Sequence, residues 1–182
     1  MTTEPRKALT PPLLRPIAAG LTALGLSASI AHPAFGQTAG PASPGALPLS
    51  LAMDAAAETI HACEARGLRV AVSIVDTDGI IKLQARGDGS PIHSQDFSYR
   101  KAYTLVSMGP MQGVDTGSEV ITKVSAAVAH GTSKILLLPG AVLLKQNGLP
   151  IAAIGVSGAP KSADDEACAQ AGADKIKSRL QP

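Results

Sequence analysis

The chain has 182 residues, enough for one folded domain, with 45% hydrophobic and 16% charged residues. A packed core can form from that composition, and disorder along the whole chain is excluded. The formal net charge of +2 and an aromatic content of 2% argue against a nucleic-acid partner, which would call for a basic face or a base-stacking platform.

Residues 1–50 differ from the rest. Arg6, Lys7 and Arg15 stand against one acid, Glu4, and an apolar stretch from Ile17 to Ile30 follows. That stretch is shorter than the roughly 20 residues of a membrane span. Small residues come next, in Ala34-Phe35-Gly36-Gln37. The order basic, apolar, small is that of a secretory signal, so residues 1–36 read as a signal peptide cleaved near Gly36. An uncleaved anchor or a loose tail is the alternative. Residues 37–48 are rich in Pro, Gly and Ala and read as a flexible leader, with the domain spanning 49–182. Cleavage would leave thirteen bases and thirteen acids. A neutral mature chain, periplasmic or secreted, is not steered to polyanions or held at membranes by charge.

Along the domain, Ser50 is positioned to cap a helix through Glu64, with Gly67 as its stop. Arg69–Val75 is β-branched and reads as a strand, Asp76-Thr77-Asp78-Gly79 as a turn, and Ile80–Ala85 as the return strand. A second helix is expected from Ser94 or Gln95 to about Met108, ended by Gly109-Pro110. A third runs from about Ser118 to His130. Ala141–Lys145 and Leu149–Val156 flank Asn147-Gly148, a hairpin signal. Ser162 is placed to cap a last helix, whose first turn carries Asp164, Asp165 and Glu166. Positive φ is expected at Gly79, Gly148 and Gly158. The order helix, hairpin, helices, hairpin, helix points to an α/β (α+β) domain: a small antiparallel sheet with helices on its faces.

The aromatics of the mature chain, Phe97, Tyr99 and Tyr103, fall within seven residues. Asp96, Arg100, Lys101 and Thr104 stand among them, and His93 one turn upstream. On a helix Tyr99 and Tyr103 share one face, and Phe97, Lys101 and Thr104 another. Flat apolar groups, cations and an iron donor suit a planar, anionic macrocycle such as haem. Aromatic walls bury the ring, Arg or Lys pairs with the propionates, and His or Tyr reaches the iron. His93 and Tyr103 are the candidate iron ligands. The plainer reading makes Phe97 core and the tyrosines a subunit contact.

Other chemistry is poorly supported. His61 and His130 lack a second ligand at helical spacing, so no structural zinc site is indicated. Asp164-Asp165-Glu166 reads as a helix-dipole device before a cation site. Asp76-Thr77-Asp78-Gly79 lacks the Glu that completes a calcium loop, and Gly155-Val156-Ser157-Gly158 is not a hydrolase elbow. No Ser–His–acid set can be assembled. Cys63 and Cys168 permit one disulfide or two buried thiols.

Asp76-x-x-Gly79, Lys101-Ala102-x-Thr104, Asn147-Gly148, Ile154-Gly155-Val156-Ser157-Gly158-Ala159 and Asp165-Glu166-x-Cys168-Ala169-x-Ala171-Gly172 occur in that order. This ordered set resembles the GlcG/HbpS family of haem-binding, haem-degrading proteins, whose domain also forms the C-terminal part of some PduO-type cobalamin proteins. The resemblance covers about Leu49 to Gly172. It implies a profilin-like fold, with a five-stranded antiparallel sheet, helices on both faces and a homo-oligomer. It brings the first and last helices, and so Cys63 and Cys168, to one face. It implies a haem or other tetrapyrrole cofactor, with a corrinoid or none as alternatives. Lys101 and Thr104 carry over from its helix motif, with Arg100 as neighbour; His93, Tyr99 and Tyr103 are added from local chemistry. Where the family has Gly-Gly-x-Pro-Ile, this chain has Gly140-Ala141-Val142-Leu143-Leu144. The function implied is a secreted or periplasmic haem-binding protein. The alternatives are an enzyme acting on haem or a small metabolite, and a non-catalytic oligomeric accessory protein.

Overall fold

A computed structural model describes residues 45–180. The signal-peptide reading and most of the leader lie outside the described residues. Helix α1 spans Leu49–Glu64, strand β1 Ala71–Asp76, strand β2 Ile81–Arg86, and helix α2 Ser94–Gln112. Short helices α3 (Gly117–Lys123) and α4 (Ala126–His130) follow. Then come β3 (Ala141–Gln146), β4 (Leu149–Ser157) and α5 (Ser162–Ile176), with a single 3₁₀ turn to Arg179. Leu47, in the segment read as leader, is buried in the core.

The strands form one antiparallel sheet in the order β2-β1-β4-β3. The period-2 alternation sends Val72, Ile74, Val142, Leu144, Ile154 and Val156 to one face, under α1 and α5. Val75, Ala141, Leu143 and Ala153 go to the other, under α2 and α3. Helices therefore cover both faces.

The described residues hold four strands, not the five that the resemblance implies. Among the described residues the outer edge of β3 is met only by Asp115 and Thr116, through Leu143 N–H to Asp115 O at 2.8 Å and one bridge from Thr116 to Val142. Thr116 then turns the chain into α3. Its side chain accepts from Glu119 N–H, while the Glu119 carboxylate accepts from Thr116 N–H. A helix that starts there ends the pairing after one residue.

Several element ends differ from their sequence signals. Pro48, not Ser50, precedes α1, and Lys161, not Ser162, precedes α5, neither with a side-chain cap. Pro48 is extended, with ψ of 142°, and its carbonyl accepts from Ala52 N–H. Helix α2 runs through Gly109-Pro110 and ends at Gly113, whose φ of 66° closes it with bonds to Gly109 O and Pro110 O. The third predicted helix is two, because Val124 is extended and Ser125 Oγ caps a fresh start at Ala127 N–H. Gly79, Gly148 and Gly158 do have positive φ.

Two glycines set how close α2 comes. At Gly155 on β4, a Cβ would lie 2.1 Å from Ser98 O and 2.7 Å from Ala102 N, so the helix backbone rests on the strand. At Gly79 a Cβ would lie 2.8 Å from the Tyr103 ring.

Candidate functional site

Helix α2 carries every residue picked out for ligand chemistry, except His93, which precedes its first turn. The structure divides them into three groups.

Lys101 and Thr104 face inward. Lys101 Nζ donates to Asp165 Oδ2 at 2.8 Å, and both side chains are 1% exposed. Asp165 Oδ1 also accepts from Ala159 N–H. Burial pushes the Asp165 carboxyl above its usual range, outweighing the pull of Lys101. Thr104 Oγ1 donates to Arg100 O and accepts from Leu136 N–H at 2.8 Å. Neither residue presents its polar atom at an open surface.

Tyr99 and Tyr103 lie against the β1–β2 turn. Their ring centroids are 5.8 Å apart, Tyr99 Oη donates to Gly79 O at 3.4 Å, and Lys134 Nζ stands 5.2 Å from the Tyr103 ring. Both are half-buried.

His93, Phe97 and Arg100 form the third group. The His93 imidazole is exposed and meets Phe97 edge-on at 5.1 Å. The Arg100 guanidinium sits 5.7 Å from the Phe97 ring. Its Nη2 donates to Ile135 O at 3.1 Å, and its Nη1 reaches Asp96 at 3.5 Å. Arg100 Nε is buried with no partner.

Beside α2 lies an open depression of about 410 Å³, lined by Ile81, Gln84, Ile92, Gln95, Asp96 and Tyr99. Ligand sites commonly fall between about 300 and 1,000 Å³. A β-bulge builds it. Ile74 pairs with Leu83, but Val75 pairs with Ile81, leaving Lys82 extra. Without that slip Ile81 would turn to the opposite face; with it, Ile81 joins Gln84 under α2. The alternation of sequence does not signal this, so Ile81, Gln84 and Ile92 were missing from the predicted site. Two smaller hollows of about 240 and 230 Å³ flank the Asp115–Lys145 ion pair, away from the aromatic residues.

His93 and Tyr103 are ten residues apart, about 15 Å along a helix at 1.5 Å per residue. One iron cannot take both. Among the described residues no group of three His, Cys, Asp or Glu could hold a metal ion, and no helix is long and apolar enough to cross a membrane. The three acids of α5 each have a partner: Asp164 pairs with Arg66, Asp165 with Lys101, and Glu166 Oε2 accepts from Ser118 and Gly140 N–H at 2.9 Å. Cys63 and Cys168 form a disulfide joining α1 to α5, with Cα atoms 5.5 Å apart.

The model of a family described as haem-degrading protein, HbpS-like, matches residues 47–174. The chain belongs to the HbpS-like family. A crystal structure of HbpS is 35% identical, covering 71% of this chain and 89% of that one, with a TM-score of 0.65. A double Glu-to-Asp variant of Streptomyces reticuli HbpS is 32% identical, covering 87% and 97%, with a TM-score of 0.64. A PduOC–haem complex shares the fold at 23% identity, covering 72% and 95%, with a TM-score of 0.64. No curated protein matches the sequence significantly. The HbpS-like match spans the bulged β2, the whole of α2 and the buried Lys101–Asp165 pair.

Proposed function

We propose that this protein binds haem, or a tetrapyrrole of that kind, where the start of α2 meets β2. One observation carries the reading. Ile81 and Ile92, 43% and 89% exposed, line a single depression with Tyr99, and Ile92 is followed in the chain by the exposed His93. Large apolar side chains gathered at a surface hollow mark a binding site. Haem, when bound, supplies a redox-active iron. The chain supplies an apolar wall from Ile81, Ile92 and Tyr99, a ring nitrogen from His93, and at Arg100 a buried N–H without an acceptor that suits a propionate. Lys101 and Thr104 serve as supports: one ties α2 to α5, the other ties it to Leu136. Tyr103 packs on the turn, too far along the helix to share the iron with His93.

The family's description supports haem as the ligand class. The basic, apolar, small order of residues 1–36 supports export to the periplasm or beyond. A homo-oligomer suits a depression that one chain leaves open. The antiparallel sheet covered by helices on both faces supports the profilin-like assignment.

Haem titrated into the protein should shift the Soret band. His93→Ala should weaken the shift, and Tyr103→Ala should leave it. No shift in the unaltered protein overturns the reading; a shift untouched by His93→Ala removes that ligand. The family's description also favours a second reading, degradation of haem. Loss of the Soret band with reductant and oxygen, faster than for free haem, would support it.

A further inference from the structure

Residues 131–138 cross α2 as a strap. Three side chains within five residues of α2 hold it. Arg100 Nη2 donates to Ile135 O at 3.1 Å, Thr104 Oγ1 accepts from Leu136 N–H at 2.8 Å, and the Tyr103 ring lies 5.2 Å from Lys134 Nζ. Just past the strap, Gly140 N–H donates to Glu166 Oε2.

The Arg100 contact is an incomplete one. A guanidinium offers five N–H groups in a planar fork, and the edge shaped by Nε and one Nη matches the two oxygens of a carboxylate. Here a lone carbonyl oxygen takes Nη2, while Nε is buried without an acceptor. It is the one buried side-chain nitrogen or oxygen among the described residues in that condition. Asp96 does not fill the gap, since its carboxylate lies 3.5 Å from Nη1, on the other arm. A buried donor left unpaired carries a desolvation cost that a carboxylate would remove.

We infer that Arg100 reads a ligand carboxylate, that the Ile135 carbonyl holds its place meanwhile, and that an arriving carboxylate releases the strap at 131–138. Ile135 is buried, so lifting the strap exposes apolar surface and the strap stays down without ligand. The inference rests on the haem reading, because the propionates are the carboxylates in question.

Hydrogen exchange, followed by mass spectrometry on the full chain, tests it. The probes are haem and its dimethyl ester, in which both propionates are blocked. Haem should speed exchange at residues 136–138 about tenfold, the factor expected for losing one hydrogen bond of ordinary strength. The ester should not. Arg100→Gln should abolish the response to haem. Arg100→Lys keeps a cation without the fork and should lose most of it, which covers the case that Arg100→Gln does not fold. A Soret shift with unchanged exchange, or an equal response to the ester, overturns the inference and leaves the haem reading standing. No Soret shift overturns both.

Discussion

Lys101 Nζ and Asp165 Oδ2 meet at 2.8 Å with both side chains closed off from solvent. The pair joins the middle of α2 to the first turn of α5. Removing one partner strands the other charge in the interior. Asp165→Asn should therefore cost about 3–5 kcal/mol, and replacing both by apolar residues should cost far less than the two single changes together. Thermal melts of the two single variants and the double variant check this. A double variant as unstable as the sum would show that the pair is not acting as a unit.

The same carboxyl sets a pH dependence. Burial raises Asp165 above the usual carboxylate range. A carboxyl raised by folding holds its proton more tightly when folded. Its contribution is thus complete below the unfolded value and lost as pH rises through the folded one. In Lys101→Met only the Ala159 N–H is left to offset the buried charge. That variant should be weakest near neutrality and should recover towards the unaltered protein as the pH is lowered and Asp165 takes up a proton. Melting curves across acid and neutral pH give the sign directly.

Glu119 behaves in the opposite sense. The Asp115 N–H foremost, then the Thr116 hydroxyl, hold its carboxyl below the usual range. Its contribution is present above the ordinary carboxylate range and lost as pH falls through the folded value. Thr116→Ala should cost about 0.5–2 kcal/mol, as lost caps do. It should also loosen Leu143 N–H, which bonds the residue just before the cap. Exchange protection at Leu143 that survives Thr116→Ala would show that the edge contact does not depend on the cap.

The Cys63–Cys168 bond spans 105 positions of sequence. By loop-closure entropy, a link over so long a loop stabilises by about 4–5 kcal/mol. Cys63→Ala with Cys168→Ala should lower the melting temperature strongly, and reductant should act on the unaltered protein in the same direction. Equal melts with and without reductant would mean that the bond is absent in solution.

Close approach gives a separate test. Gly155→Ala drives a methyl group into Ser98 O and should cost at least about 1–3 kcal/mol. At Gly148 a Cβ meets nothing within 4 Å, so Gly148→Ala suffers only from its φ of 78°. Gly155→Ala should be the worse of the two in a denaturant melt.

Much of this was readable along the chain because it is local. The β-branched run Arg69–Val75 with the turn at Asp76–Gly79 marked the first hairpin, and Asn147-Gly148 marked the second. Caps were less readable: Ser50 and Ser162 are of the right type, yet the extended φ and ψ of the residues before them start the helices instead. Pro110 signals an end to α2, but the left-handed Gly113 supplies the carbonyls' partners three residues later.

The run from His93 to Thr104, with its aromatic residues, cations and imidazole, is a property of the sequence, and so are the ordered motifs that place the chain in its family. Which of those side chains face outward was decided in three dimensions. Lys101 is consumed by an acid 64 positions away, and Thr104 by an amide 32 away. Ile81 enters the depression only because one residue of β2 bulges from the ladder. Helical spacing assigns a face. What lies against that face depends on contacts between distant segments, which no local pattern encodes.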